Sequence, residues 1–519
     1  MDTKRRRPVE VKRKLAERSE AKKEFCFAEY MFSTTGLQGP GKMWEAPYKL
    51  LKVLWLLAFL AAFGVMVIQL VELFKTFFSY PIKTSVTLGF SPLTLPALTL
   101  CNVNPIRLSR ARDLPCQIQD VLKIDDQYKH PDCKSSPVTT GGLLGIVPLP
   151  LPCLICDVTE DQEGMDEYYQ RRQQIATLLA QERRETRMMA GHQREDFIVN
   201  CSLFGRTCSF LNITPFLSKD YGNCYTIVNH DVKASQTGPA TALDLTLNLE
   251  SEEFVTSFKT GYGLRVVLHE EGTRAFPSSE GFTVSSGAET NIGVKLTQIT
   301  RMGGQYGDCQ QEHEHNETGY KYTIMNCRDQ CLKKAMMEEC QCVSPDDGVN
   351  TPNDTVQYCS TLQEFRCLKG VYEDYYNSTE RGEDMCQCFN PCNELVYSPT
   401  LSSRPWPVLS FVETLEEQVC RDRGDSPKCA YTNQVFTVES ADTRRASFAR
   451  IRLYYERLNY EIVEESPFYN TERFLSDIGG TLGLWIGVTV LGLAELLELL
   501  LLCLIFCCKR FKTSNRLQP

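Results

Sequence analysis

Two long apolar stretches divide the chain, and everything else is organised around them. Val53–Val71, VLWLLAFLAAFGVMVIQLV, runs 19 residues without a charge, the length an α-helix needs to cross roughly 30 Å of hydrocarbon. A signal peptide would have a shorter apolar region nearer the amino end. Ile478–Cys508 runs 31 residues broken only by Glu495 and Glu498. A straight helix of that length extends about 46 Å, so the segment is expected to tilt, project beyond the bilayer or break midway. Between the two, the pattern changes period. Leu243–Leu249 and Leu264–His269 alternate apolar and polar positions, as does Ile451–Glu456 continuing through Asn459–Val463, and these predict strands with one buried face. Asp166–His192, rich in Gln, Arg, Glu, Ala and Met, predicts a solvated helix pair. With no internal repeat or long low-complexity tract, the intervening region reads as one mixed α and β domain.

Composition adds orientation and compartment. The 519 residues are 42 % hydrophobic and 23 % charged, too ordinary for a wholly disordered or collagen-like chain, and the net charge of -9 offers no broad basic surface to nucleic acid. Met1–Lys52 carries 13 basic and 7 acidic residues, and Leu499–Pro519 carries 4 basic and none acidic. Basic flanks stay on the cytosolic side of a span, so both termini are expected inside. Of the 24 cysteines, 20 lie between Cys101 and Cys429, a density that fits an oxidising, extracellular compartment. The sequons at Asn212, Asn316, Asn353 and Asn377 fall in the same region. Ten cysteines, from Cys309 to Cys392, sit within 84 residues, and their spacing alone leaves hundreds of pairings open. Cys340-Gln-Cys342 and Cys386-Gln-Cys388 also resemble zinc-ligand pairs, although the compartment favours disulfides. No Gly-x-Ser-x-Gly or His-Glu-x-x-His motif is present, so no enzyme, catalytic residue, resident metal or cofactor is expected.

Particular segments then carry a resemblance. Leu95–Asn102, Cys201–Cys208, Tyr221–Tyr225, Tyr306–Cys309, the ten-cysteine block and Asp477–Gly480 occur in an order similar to that of the epithelial sodium channel, degenerin and acid-sensing ion channel family. The resemblance runs over nearly the whole length. It implies an α+β membrane protein with two transmembrane helices per subunit, a disulfide-rich ectodomain of palm, thumb, finger, knuckle and β-ball type, and a trimer. The implied organisation is a cytosolic segment 1–49, a first membrane helix 50–74, an extracellular domain 75–473, a second membrane helix 474–506 and a cytosolic tail 507–519. The implied pairs are Cys101–Cys224, Cys201–Cys208, Cys309–Cys392, Cys327–Cys388, Cys331–Cys386, Cys340–Cys367 and Cys342–Cys359, a ladder that would stiffen a helical hairpin into a lever. Cys116, Cys133, Cys153, Cys156, Cys420 and Cys429 remain, enough for three further bridges, of which Cys420 to Cys429 is the simplest.

The second apolar stretch is where a pore is expected. A carboxylate inside a membrane helix costs roughly 2.5–3.5 kcal/mol on insertion scales, so Glu495 and Glu498 should face water. At about 100° per residue an unbroken helix places Gly480, Gly487 and Glu498 on one stripe. The alternative is helix packing by glycines with the acids reaching toward inner headgroups. By resemblance, Gly487-Val488-Thr489 occupies the family's Gly-x-Ser constriction, with Val for the commoner Ala or Ser and Thr for Ser. Three copies of Glu495 and Glu498 around one axis would concentrate cations.

Gating positions come from the same resemblance. Gly36-Leu-Gln-Gly39 aligns with the family's His-Gly motif, with Gln38 replacing His and Gly39 retained. Ser476 matches the position where bulky residues hold degenerin-type channels open, and Tyr80 and Tyr306 match an aromatic contact between wrist and thumb. Six histidines in all, and Tyr80-Pro-Ile-Lys83 after the first span where proton-gated relatives carry histidine, argue against proton gating. His313 and His315 read as an exposed loop beside a sequon. The Gly-Leu-Trp-Ile-Gly-Val-Thr form of the pore is nearest to FMRFamide-gated-like channels, and Asp157–Ser209, with Tyr168 and Tyr169, could supply a peptide pocket. The expected function is therefore a sodium-selective, plasma-membrane homotrimer in membrane lipid, opened by a short amidated extracellular peptide and blocked by amiloride-type compounds. The alternatives are a proton-gated or constitutively open channel of the same family, or a two-span receptor without a pore.

Overall fold

The computed structural model describes residues 46–501 except 126–127, 135–166, 210, 219, 229–232, 256–260, 312–318, 345–356, 382–384, 423–440, 491, 493, 495–496 and 499–500. Contacts divide the chain into two units, one of Met1–Lys83 with Ser466–Pro519 and one of Thr84–Glu465. In chain order the first unit opens with helix α1 (Lys49–Phe78), which leads into β1 (Ile82–Phe90). There follow β2 (Leu93–Thr94), β3 (Ala97–Asn102), α2 (Leu108–Ala111), α3 (Cys116–Val121), α4 (Pro131–Lys134), α5 (Glu167–Ala180), α6 (Arg184–Ala190) and α7 (Arg194–Phe197). Strands β4 (Ile198–Leu203), β5 (Arg206–Thr207), β6 (Asn212–Ser218), β7 (Gly222–Val228), β8 (Lys233–Ala234), β9 (Leu243–Asn248), β10 (Gly263–His269), β11 (Phe282–Ser285), β12 (Ala288–Thr300) and β13 (Cys309–Gln310) come next. The chain continues through α8 (Ile324–Cys340), α9 (Leu362–Glu380), β14 (Asn390–Pro391), β15 (Asn393–Pro405), α10 (Leu409–Asp422), α11 (Ala441–Ala446), β16 (Phe448–Tyr455), β17 (Asn459–Pro467) and α12 (Thr471–Ile486).

The second unit is built on two sheets. An eight-stranded sheet runs β1-β17-β12-β16-β9-β4-β5 with β15 also on β12, and a five-stranded sheet runs β11-β10-β3-β7-β6. The alternation in β16 sends Ala449, Ile451, Leu453 and Tyr455 into the core, where they join Leu245 and Leu247 of β9 and Leu98, Leu100 and Val266 of the smaller sheet. Between β16 and β17 the chain turns, so the alternating stretch from Ile451 to Val463 is two strands. The other face of the large sheet carries charge. The register sets Arg452 opposite Asp244 and Arg450 and Arg404 opposite Glu289. Arg450 holds Asp244 through two hydrogen bonds of 2.8 and 2.6 Å and reaches the fully buried Glu289 at 3.1 Å. A carboxylate so deeply buried is tolerated because guanidinium groups from two neighbouring strands neutralise it.

Helices α8 and α9 form the disulfide-bound hairpin. Thr323 caps α8, and Thr361 with Glu364 forms a capping box on α9. Met336, Phe365, Leu368 and Val371 fill the space between the two helices. Cys327 and Cys331 stand one turn apart on α8 and bond to Cys388 and Cys386, Cys340 bonds to Cys367 on α9, Cys342 to Cys359, and Cys309 to Cys392. Elsewhere Cys101–Cys224 joins directly paired positions of β3 and β7, and Cys201–Cys208 closes a short hairpin. Cys116 pairs with Cys133. Cys420 is disulfide-bonded, while Cys153, Cys156 and Cys429 lie outside the described residues. The Asp166–His192 region does form two helices, α5 and α6, but not a fully solvated pair. Ile175 and Ala190 are buried against Ile118 and Leu122 in a second core.

Candidate pore segment

In the first unit α1 is 30 residues long and, among the described residues, the one helix long and apolar enough to cross a membrane. It begins one residue before the expected span and continues four residues past it, to Phe78. In its last turns Thr76 donates its hydroxyl to the Glu72 carbonyl at 2.9 Å.

Helix α12 begins at a cap made by Asn470, whose Oδ1 accepts the Arg473 N–H at 2.9 Å. It ends after 16 residues at Gly487, a length of about 24 Å and too short to span the hydrocarbon alone. Gly487 adopts φ +70° and ψ 20°, the left-handed region open to glycine at little cost. Its N–H donates to the Gly483 carbonyl at 3.1 Å, and the Val488 N–H donates to Leu482 at 3.4 Å. Residues 487–489 are not helical, and the described residues beyond them, Val490, Gly492, Ala494, Leu497, Glu498 and Leu501, are helical again. Thr489 restarts the helix. Its Oγ1 accepts the Gly492 N–H at 3.0 Å, the geometry of an N-cap with its third following residue. The three residues thus divide the labour: glycine stops one helix and a hydroxyl residue begins the next.

This break corrects the unbroken-helix geometry. The common stripe calculated for Gly487 and Glu498 assumes a constant 100° per residue, and three non-helical residues remove that continuity. Glu498 is helical and exposed, and Glu495 lies outside the described residues, as do Gln38 and Gly39. Ser476 is exposed on α12, with Gly479 and Gly480 beside it facing open space. Tyr80, at φ +47°, is half-buried in the first unit, and Tyr306 is half-buried in the second. Asn212 and Asn377 are exposed, as a glycan acceptor must be, and Asn316, Asn353, His313 and His315 lie outside the described residues.

Several contacts around the segment were not read from the sequence. Phe474 of α12 stacks on Phe77 of α1 at 4.2 Å and meets Phe74 edge-on at 5.1 Å. The Tyr469 hydroxyl donates to the Asp477 carboxylate. Trp485 donates its indole N–H to Gln69 Oε1 at 2.7 Å. The signals available were an asparagine before a helix, aromatics at the end of an apolar run, and a lone amide inside one.

The second unit also holds a cavity of about 250 Å³, lined by His269, Glu270, Glu280, Lys321, Glu394 and Tyr397 among others. Burial lowers the His269 pKa to about 4 and raises those of Glu280 and, to about 12, Tyr397. His269 bonds Thr99 Oγ1 through Nε2 at 2.9 Å and Thr273 Oγ1 through Nδ1 at 3.0 Å. No group of three or more metal-ligating side chains occurs among the described residues.

A helix that stops and restarts within an apolar segment and packs on a long apolar helix, in a chain whose other unit is rich in disulfides, is the combination to compare with known proteins. The family profile described as amiloride-sensitive sodium channel matches residues 31–499. The chain belongs to the amiloride-sensitive sodium channel family. Members of this family are ion channels of the plasma membrane and not enzymes. Among curated proteins the channel chain is 28 % identical to degenerin unc-8 of Caenorhabditis elegans over 64 % of its own length and 42 % of that protein's. It is 24 % identical to the epithelial sodium channel subunit beta of Neoceratodus forsteri, covering 92 % of this chain and 82 % of that one. With the subunit alpha of Cavia porcellus the identity is 25 %, over 88 % and 74 %.

Proposed function

We propose that the chain is a pore-forming subunit of a trimeric, sodium-selective channel, with α1 and the broken segment of α12 and its continuation as its two spans and both termini cytosolic. The helix break at Gly487–Thr489 carries the reading. In hydrocarbon each unpaired backbone group costs several kcal/mol, so a non-helical segment persists only where it lines water or packs within protein. Three such breaks around an axis present backbone carbonyls and the Thr489 hydroxyls to a permeating ion. Glu498 and Glu495 follow on the cytosolic side and concentrate cations. Ser476 and the adjacent glycines form the face that closes the gate, Gln38 and Gly39 set open probability from the cytosol, and Tyr80 and Tyr306 take part in gating. Asn212, Asn316, Asn353 and Asn377 carry glycans. The agonist is a short amidated peptide, a choice supported by the form of the pore motif and the scarcity of histidine, and amiloride-type compounds block the pore.

Voltage clamp of the expressed chain, with sodium and potassium exchanged while amidated peptides and then acid are applied, tests this. A sodium current evoked by peptide is expected. Acid-evoked current with peptide silence selects the proton-gated alternative. Silence even with Ser476→Phe at the cell surface selects the receptor without a pore. The alpha and beta naming of two relatives favours a second assembly, with non-identical subunits, and co-expression that increases current would establish it.

A further inference from the structure

The break at Gly487–Thr489 leaves a question of aim. Within three residues the backbone is released from the helical ladder, so the direction in which its carbonyls and the Thr489 hydroxyl point depends on how the last turn of α12 is held. Two contacts hold α12 against α1. Phe474 stacks on Phe77 at one end. Trp485, eleven residues and about three turns later, lies on the same face and donates its indole N–H to Gln69 Oε1 at 2.7 Å. The first contact is apolar and tolerates sliding and rotation. The second is directional, because an indole offers one donor on a rigid ring with two side-chain torsions.

Gln69 is the single amide in the apolar stretch Val53–Val71. An amide in hydrocarbon is costly unless it is paired, and here the partner stands two residues before the left-handed Gly487. We propose that Gln69 is a positioning residue for ion selection: its hydrogen bond to Trp485 fixes the rotation and height of the last turn of α12, and through it the orientation of the Gly487–Thr489 break. Helix α1, uninterrupted over 30 residues, serves as the rail against which the broken helix is registered. The proposal rests on the channel reading above and adds a specificity-determining residue on the helix that does not itself break.

The test uses the full-length chain at the cell surface, with Ser476→Phe as the conducting background. Reversal potentials with sodium and potassium exchanged are measured for Gln69→Met, Trp485→Phe, the double variant and Gln69→Glu, with surface amounts quantified by biotinylation. Gln69→Met and Trp485→Phe each remove one partner at nearly constant volume and are expected to move the sodium-to-potassium permeability ratio by about threefold or more, the scale of one interhelical hydrogen bond. The double variant is expected to match the singles rather than sum them. Gln69→Glu keeps an acceptor oxygen at the same reach and is expected to retain the parental ratio. A purely packing role would lower surface amount or current while leaving the ratio unchanged, and that result, or additive shifts in the double variant, overturns the proposal. A parent without sodium current overturns the channel reading itself, so the two failures are separable.

Discussion

Substituting Gly487 by Ala tests whether the break is conformational. At φ +70° and ψ 20° a Cβ costs about 1–2 kcal/mol in the broken state. Alanine also favours the competing continuous helix over glycine by about 1 kcal/mol. Together these shift the balance by about 2 kcal/mol or more, roughly 30-fold toward an unbroken helix. That helix would return the Gly487–Thr489 carbonyls to intrahelical hydrogen bonds and remove them from the ion path. The expected outcome in the Ser476→Phe background is loss of sodium preference or of conductance at unchanged surface amount, read from reversal potentials and biotinylation. Gly487→Asn separates conformation from bulk, because its short amide tolerates the left-handed region. If Gly487→Ala conducts with the parental ratio, or if the larger Asn is as damaging as Ala, the left-handed stop is not what shapes the constriction.

The remaining predictions concern the helix restart and the ectodomain. Thr489→Ser keeps the hydroxyl that accepts the Gly492 N–H and should retain selectivity, whereas the isosteric Thr489→Val loses a cap worth about 1 kcal/mol and should shift the permeability ratio by about fivefold. Replacing both Cys101 and Cys224 by Ser opens a loop of 123 residues and should cost about 5 kcal/mol by the chain-entropy relation, against about 2 kcal/mol for Cys201 and Cys208, separated by 7. Thermal unfolding of the detergent-solubilised chain gives the order, and equal losses would contradict it. His269 has its pKa lowered to about 4 from 6.5 by burial. The unfolded chain therefore binds the proton first as pH falls, and stability should decline between pH 6.5 and about 4 by up to about 3 kcal/mol. His269→Gln should flatten the unfolding temperature across that window, and an unchanged slope would refute the assignment.

Much of the architecture was legible because it follows from local composition. Nineteen uncharged residues in Val53–Val71 select a long apolar helix, and period-two alternation at Leu243–Leu249 selects a strand, although its polar positions Thr246 and Asn248 are buried as well, so both faces are covered and not one. The length of Ile478–Cys508 called for a tilt, an overhang or a break, and Gly487-Val488-Thr489 was the family's place for one. What remained out of reach depends on register and approach. That Arg450 clamps Asp244 across β9 and β16 while also reaching Glu289 on β12 follows from strand pairings more than 150 residues apart in sequence, which no periodicity encodes. The stripe through Gly487 and Glu498 failed for the same reason in miniature, since an angle computed along one helix assumes the hydrogen-bond ladder that Gly487 interrupts.

By itself, then, the amino-acid order determined which segments are apolar, where period-two alternation makes strands, and that the cysteine-rich middle suits an oxidising compartment. Those are properties of side-chain chemistry at fixed spacing. Tertiary structure alone decided that Trp485 finds Gln69, that Arg450 reaches Glu289, and that Cys116 finds Cys133. Each of these needs two groups within about 3–6 Å at a set angle, a condition that exists only after the chain has folded.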